Sequence, residues 1–255
     1  MEKWKNKLGM LAIVGYLFAG SVCVLQAQEA PYIMHEPSIA NKILDRAYRY
    51  VGGLDKFAFE GITVNDDLYE DKMIVEVKHR VFVKVDRPGD MMIDIEGDSK
   101  NRRIYLHKGE FTIYNKENNY YGMLKTPRTI DGTLDYIFDH YDIKTPLANL
   151  LYSDIAKRLK PQSKGYYYGI SSVGKIPCDY IGFSNAKEEF QVWIARGESP
   201  VILKFIIIDK TGKREMRSTT ILRWFKNSRS QSEQYVFKAA VNAIKIDIIV
   251  PVEKE

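Results

Sequence analysis

The chain has 255 residues, of which 45% are hydrophobic, and it carries a formal net charge of +5 at pH 7. A surplus this small, with acidic residues interleaved among the basic ones, does not favour nucleic acid as a partner. The length suits one large domain or two small ones, and we expect one domain over residues 38–255.

The first thirty residues have the pattern of an export signal. Three lysines precede a charge-free apolar run over residues 8–25, and Ala27 provides a small residue at a cleavage point. This pattern predicts a signal peptide over residues 1–27 and a periplasmic location for the rest of the chain.

Two other interpretations of the leader stay open. Cys23 could carry a lipid, although a lipoprotein signal has a small residue before the cysteine and this chain has Val22. The leader could also remain as a membrane anchor, although its apolar run is interrupted by glycines and is barely long enough to span a bilayer. In each case the folded part lies outside the cytoplasm. If the leader is cleaved, Cys23 leaves with it and Cys178 has no cysteine partner, and we predict that Cys178 is a small buried residue of an apolar strand.

A linker and a helix are predicted before the first strand. Pro31 and Pro37 interrupt regular structure, so residues 28–37 are assigned to a linker. Apolar residues at helical spacing then predict a helix over residues 39–51, which Gly52 and Gly53 end.

From Phe57 onward the period of the apolar residues changes to two. The change is clearest where valines alternate with charged residues between Val75 and Val85, which is typical of an antiparallel strand with one buried face. Turn-forming residues separate successive strands, so the first half is predicted to be a meander. Its strands are expected over residues 57–64, 75–85, 91–95, 102–106, 111–114 and 120–124.

Two helices are predicted to interrupt the strands. The first follows a cap candidate at Asp131 and includes Leu134 to Tyr141, and the second begins at Thr145 and Pro146 and extends to Lys160. A second meander is expected over residues 166–172, 175–183, 189–195, 201–209, 215–224 and 244–250.

So many consecutive strands cannot form a flat sheet, because the twist of a large sheet makes it curl or close. The two amphipathic helices are suited to fill the concave side. We therefore predict a mainly β fold of the α+β class, a strongly curved antiparallel half-barrel wrapped around inserted α-helices.

The sequence contains no recognised reaction centre. Its four histidines, at positions 35, 79, 107 and 140, lack the spacing of metal ligands, and the common hydrolase, nucleotide and dinucleotide motifs do not occur. His79 occupies a position on the apolar face of its strand, so it is either a hydrogen-bonded core histidine or a polar group that lines a cavity. We predict no metal, no cofactor and no enzymatic activity, with an unrecognised hydrolase kept as a minor alternative.

Three other clusters are most simply explained by structure. The acidic pairs at residues 66–67 and 188–189 lie beside strand ends, where solvated charges are ordinary. The basic cluster of Lys210, Lys213, Arg214 and Arg217 surrounds a predicted hairpin turn, although it could also dock an anionic head group. The tyrosines at 166–168 are expected to fill a core or to line an apolar cavity.

Several segments share an order and spacing with a known family. They are DRP at residues 86–88, Gly109 before FTIY at 111–114, NNY at 118–120, TIDGTL at 129–134, PLANLL at 146–151, GKIPCD at 174–179 and FQVWI at 190–194. Together they resemble a bacterial family of predicted periplasmic proteins of unknown function, related in fold to the outer-membrane lipoprotein carriers and lipoprotein-localisation factors. The resemblance covers most of residues 36–250 and implies a curved sheet around helices, with a hydrophobic hollow that shelters acyl chains in the related carriers. It supplies no catalytic residue, and Tyr180 stands where the family often has a histidine.

These observations lead to one functional hypothesis and an alternative. We predict a monomeric periplasmic carrier or sensor that binds a lipid or a lipoprotein acyl chain in its hollow. The candidate ligand-binding residues are Val77, Ile93, Trp193 and Phe205, although parity does not tell which sheet face is concave. The alternative is an envelope structural or protein-interaction module whose exposed strand edges pair with a protein partner.

Overall fold

The computed structural model describes residues 37–70, 72–98, 101–141, 146–159, 164–225 and 232–249. The predicted signal peptide, the predicted linker up to residue 36, Cys23, Thr145 and Lys160 lie outside these ranges. Within them, no helix combines the length and the apolar character that crossing a membrane would require.

The described chain is mainly β, as predicted. Helix α1 (Pro37–Gly52) precedes six strands, β1 (Lys56–Tyr69), β2 (Met73–Asp86), β3 (Asp90–Gly97), β4 (Asn101–His107), β5 (Glu110–Asn115) and β6 (Tyr120–Lys125). Helix α2 (Ile130–Tyr141), a 3-10 helix (Pro146–Leu151) and the short α3 (Ile155–Arg158) follow. The remaining elements are β7 (Lys164–Val173), β8 (Ile176–Ser184), β9 (Glu188–Ala195), β10 (Ile202–Asp209), β11 (Met216–Phe225), a 3-10 turn (Ser232–Tyr235) and β12 (Ile244–Lys245).

All twelve strands belong to one curved, open sheet. Their order is β12-β6-β5-β4-β3-β2-β1-β11-β10-β9-β8-β7, so each half of the chain forms a meander and the two meanders join where β1 pairs with β11. Neighbouring strands are antiparallel, except that β12 runs parallel to β6. The two predicted meanders are therefore confirmed, apart from the strand predicted over residues 244–250.

One face of the sheet packs against the helices and is called the inner face. It is the face that carries Phe57, Phe59, Val81, Val83 and Val85, all of them buried. Their strict alternation along β1 and β2 follows from the two-residue period of a strand. The same hydrophobic cluster includes side chains from all the covering helices, namely Leu44, Leu134, Leu150, Leu151 and Ile155.

The opposite face, called the outer face, has a smaller apolar cluster over β8, β9 and β10. It contains Cys178, Trp193, Ala195, Leu203, Ile206 and Ile208. Cys178 is fully buried, and this burial raises the pKa of its thiol. The position confirms the prediction that Cys178 is a small core residue.

The second predicted helix is divided. The structure has the 3-10 helix and α3 in its place, because Asp131 does not cap α2 but binds the segment between them. Its carboxylate accepts a hydrogen bond from the Ser153 backbone nitrogen at 3.0 Å and another from the Ser153 hydroxyl. The cap of α2 is Thr129, whose hydroxyl oxygen accepts from the Gly132 nitrogen at 3.1 Å.

The last predicted strand, over residues 244–250, is shorter and lies at the far edge of the sheet. Within residues 244–249, which the structure describes, the strand consists of Ile244 and Lys245, and these pair with β6 instead of extending the second meander. The segment that leads to β12 is held by the Phe237 ring, whose centroid lies 4.9–5.6 Å from the rings of three tyrosines on β4, β5 and β6: Tyr105, Tyr114 and Tyr121. These contacts bring the chain to the β6 edge.

Arg87, directly after β2, links the helices to the sheet. One guanidinium nitrogen donates to the Leu54 carbonyl at 2.6 Å, and the other donates to the Leu151 carbonyl at 2.7 Å. The guanidinium also lies 5.1 Å from the centre of the Phe57 ring. One side chain thus joins the α1–β1 connection, the end of the 3-10 helix and the first strand.

We expect the substitution Arg87→Met to lower the free energy of unfolding by about 2–3 kcal/mol, because two backbone carbonyls lose a charged donor while most of the apolar stem is kept. Urea titration followed by circular dichroism measures this change. Arg49→Met is the matched control, since that guanidinium is exposed and pairs with Asp45 one helical turn away. Equal stability of the two variants would contradict the role given to Arg87.

We also expect Cys178 to be unreactive in the folded protein. Because the thiol is buried and its pKa is raised, little thiolate is formed and reagents cannot reach it. Titration with 5,5′-dithiobis(2-nitrobenzoic acid) should label Cys178 only after urea is added. Rapid labelling of the native protein would show that the strand around Cys178 opens.

Candidate functional site

A cavity of about 290 Å³ lies between the inner face and the helices. We call it the hollow. Strands β1 to β5, β10 and β11 form its wall, and α2 with the 3-10 helix covers it. Its lining is mostly aliphatic and aromatic and includes Val81, Val83, Met91, Ile93, Ile95, Ile104, Phe111, Ile113, Leu134, Ile137, Phe138, Leu147, Leu151 and Phe205.

The hollow exists because the inner-face side chains become smaller along two adjacent strands. On β1 the inner face changes from Phe57 and Phe59 to Gly61, Thr63 and Asn65. The facing strand changes in the same direction, since Trp224 and Leu222 are followed by Thr220 and Ser218 in the register that pairs β11 with β1. Large rings fill one end of the space, and small residues leave the other end empty.

The end with small residues is polar. The hydroxyls of Thr63 and Thr220 lie 2.9 Å apart, and both side chains are buried. Next to them, the Ser218 hydroxyl donates to the Asn65 side-chain oxygen at 2.6 Å. His79 on β2 lines the same end. The sequence allowed either a hydrogen-bonded core histidine or a polar group that lines a cavity at this position, and the structure favours the second.

A second cavity of about 370 Å³ adjoins this polar end and shares Asn65, His79 and Ser218 with the hollow. We call it the outer chamber. Its other lining residues include Val77, Ile207 and Met216, together with the charged groups Asp66, Asp67, Asp209 and Arg217. The apolar hollow thus lies next to a polar and charged chamber.

The structure brings together some of the predicted ligand-binding residues. Ile93 and Phe205 line the hollow, and Val77 lines the outer chamber. Trp193 instead lies on the outer face, where its ring stacks on Tyr180 at 4.2 Å and the Lys204 ammonium lies 4.4 Å above it. The inner position of β9 at this point belongs to Val192, which precedes Trp193.

Sequence analysis missed the four polar residues Thr63, Asn65, Ser218 and Thr220. The signal that could have found them is parity, because each interrupts the apolar side of its strand. Polar residues at buried strand positions need hydrogen-bond partners. Interruptions of this kind therefore indicate where a polar group on a neighbouring strand should be sought.

The charged clusters are largely used in local contacts. Arg214 donates to the Lys72 carbonyl at 3.0 Å, and the Arg217 backbone nitrogen donates to Asp66 at 3.0 Å. Lys210 lies 3.2 Å from Glu189. These contacts agree with the structural interpretation of the basic cluster and of both acidic pairs.

The covering helices are tied to one another. Asp135 on α2 accepts a hydrogen bond from the Tyr152 hydroxyl at 2.8 Å and one from Arg158 on α3 at 2.7 Å. Burial, and then the hydrogen bond to Asp135, raise the pKa of the Tyr152 hydroxyl, so it stays protonated and keeps donating. In the parts of the chain that the structure describes, no three histidine, cysteine or acidic side chains are placed to hold a metal ion.

Comparisons with known proteins identify a family for the chain. A family model described as "Predicted periplasmic protein (DUF2092)" matches residues 40–249. Comparison with curated proteins finds no match. Among solved structures, the chain is similar to an uncharacterized conserved protein from Thermus thermophilus, with 12% identity over 82% of this chain and 99% of that chain and a TM-score of 0.48.

Two further solved structures are similar over comparable lengths. The lipoprotein LppX from Mycobacterium tuberculosis is 8% identical over 76% of this chain and 99% of its own, with a TM-score of 0.44. A LolA superfamily protein from Nitrosomonas europaea is 12% identical over 78% of this chain and 97% of its own, with a TM-score of 0.34. The family match covers most of the chain and confirms both the resemblance seen in the sequence and the periplasmic location. The chain belongs to the family of predicted periplasmic proteins that this model describes.

Proposed function

We propose that this protein is a monomeric carrier or sensor that binds one acyl chain of a lipid or lipoprotein in its hollow. The curved sheet acts as a half-barrel, with the helices as its filling and cover. The observation that carries the proposal is an apolar cavity of about 290 Å³ inside the main hydrophobic cluster. Protein interiors are close-packed, so an apolar space of this size is costly unless an occupant fills it.

The size of the hollow favours a single chain. Pockets for small ligands span about 300–1,000 Å³, and the hollow, at about 290 Å³, is close to the smallest of them. Each methylene removed from water contributes about 0.8 kcal/mol, so one chain can be held without a dedicated polar contact. The aliphatic lining is the surface that such a chain requires.

Entry would require the cover to move. Helix α2, the 3-10 helix and α3 are joined through Asp131 and Asp135, so they are suited to move as one body. Polar contacts between described residues hold this body to the sheet side. They include the bond from Arg87 to the Leu151 carbonyl and the bond from the Ile130 nitrogen to the Pro88 carbonyl at 2.7 Å.

The proposal involves no chemical step. The lining of the hollow contains one side chain of the type most often used in acid–base catalysis, that of His79. A general acid or base needs a reacting partner within hydrogen-bond reach, and aliphatic groups surround most of the space. Burial and release of a ligand are functions that this lining can perform.

A second candidate is the protein-interaction module, which the β7 edge of the sheet favours. Strand β7 pairs with β8 and forms one end of the strand order, with Ile170 exposed near its centre. An edge of this kind can accept a strand from another protein. At the other end of the sheet, β12 covers β6 and leaves less of that edge available.

The first test is to fill the hollow. We expect Ile93→Trp to weaken binding of the neutral probe N-phenyl-1-naphthylamine by about tenfold or more, because the indole occupies the space of the ligand and extra bulk in a packed site is poorly tolerated. Fluorescence titration of the purified exported protein measures the affinity. Mass spectrometry of an organic extract should find a stoichiometric lipid in the wild-type protein and much less in the variant.

Ile221→Trp is the matched control, since Ile221 lies on the outer face and is exposed. It should bind the probe as the wild-type protein does, and thermal melts should show that both variants are folded. A wild-type protein that binds neither probe nor lipid would refute the carrier proposal. Recovery of a stable protein partner in that case would support the interaction module.

A further inference from the structure

We propose that the polar end of the hollow is a head-group site for an uncharged acyl ester or amide, whose carbonyl oxygen it binds. This proposal rests on the proposed function, because it assumes that an acyl chain occupies the apolar part. It adds a named polar site and a ligand class. Five residues form this site, and we call them the polar end: Thr63, Asn65, His79, Ser218 and Thr220.

The placement of these residues is the first argument. All five lie on the inner face of three adjacent strands, β2, β1 and β11, at positions where the rest of the face is apolar. Replacing both partners of a buried hydrogen bond by apolar groups of the same shape can be neutral or stabilising. A purely structural core therefore does not require the hydroxyl pair of Thr63 and Thr220.

The hydrogen bonds at the polar end leave donors unused. The hydroxyls of Thr63 and Thr220 share one hydrogen bond, so one of their two hydrogens is still available. Ser218 donates to the Asn65 oxygen, while the Asn65 side-chain nitrogen has no acceptor among the described residues. A surplus of donors beside an apolar hollow suits a ligand that brings an acceptor oxygen next to an acyl chain.

The charges of the outer chamber argue that the head group is uncharged. Three carboxylates, those of Asp66, Asp67 and Asp209, line the chamber beside a single cation, Arg217. Their field disfavours an anionic head group, since placing like charges together is costly in a partly enclosed site. A glycerol ester or an N-acyl amide accepts hydrogen bonds from the donors and is not repelled by the carboxylates. A free fatty acid also accepts these hydrogen bonds, but its negative charge is repelled.

The test compares four probes on the purified exported protein at pH 7. Three share a ten-carbon acyl chain: 1-decanoylglycerol, N-decanoylglycinamide and decanoate. The fourth, N-phenyl-1-naphthylamine, is neutral and has no acceptor oxygen. We expect at least one of the two uncharged acyl probes to bind about tenfold more tightly than decanoate in calorimetry, because the carboxylates repel the anion. Preference between ester and amide then distinguishes a glycerolipid from an acylated amine as the source.

The double variant Thr63→Val with Thr220→Val removes both hydroxyls and leaves neither unpaired, so the fold should be kept. We expect about a fivefold loss of affinity for the preferred acyl probe and no change for N-phenyl-1-naphthylamine, because only the former uses the donor. Thr219→Val is the matched control, since Thr219 lies on the outer face of β11 and should change neither affinity.

The outcomes separate this inference from the proposed function. Decanoate that binds as tightly as the uncharged acyl probes would overturn the charge argument, and an unchanged affinity in the double variant would overturn the donor argument. In both cases tight binding of N-phenyl-1-naphthylamine would leave the hollow as a lipid site. If no probe binds at all, both proposals fail.

Discussion

The two hydrogen bonds from the Arg87 guanidinium link the residue after β2 to one carbonyl that precedes β1 and to one carbonyl in the cover of the hollow. One bond fixes the carbonyl after α1, and the other fixes the last carbonyl of the 3-10 helix. Burial lowers the pKa of Arg87, yet a guanidinium remains charged under all ordinary conditions. The cover over the hollow therefore depends on a permanent charge that two carbonyl dipoles stabilise, and its attachment does not vary with pH near neutrality.

The second constraint is the gradient of side-chain size along β1 and β11. Phe57, Phe59 and Trp224 form a tight group with ring centroids 5.0–6.3 Å apart, which anchors one end of the seam between the two meanders. At the other end, hydroxyl and amide groups form hydrogen bonds in place of the packing of large side chains. The same pair of strands thus provides rigidity at one end and a lined space at the other, so the site is built on regular structure and not on loops.

Much of the fold could be predicted from the sequence, because β1 and β2 alternate apolar and polar residues so regularly. The face of Trp193 could not, since β8 to β10 are apolar on both sides: Phe205 and Ile206 are neighbours in the chain, yet each is buried in a different cluster. The division of the second helix depends on Asp131, which contacts Ser153 only in the folded molecule. The polar end was not predicted either, because Thr63 and Thr220 come together only when β1 and β11 pair.

That pairing has a consequence for how the protein is made. Thr63 and Thr220 are 157 positions apart in the chain, so the central strand pair of the sheet is among its least local contacts. Non-local strand pairs form slowly, because the entropy cost of closing a long loop comes before the contacts that compensate for it. When the first meander forms before β11 is available, β1 pairs with β2 and its other edge stays without a strand partner. An unpaired edge of this kind is prone to associate with other chains, so the topology makes the pairing of β1 with β11 the step that removes this hazard.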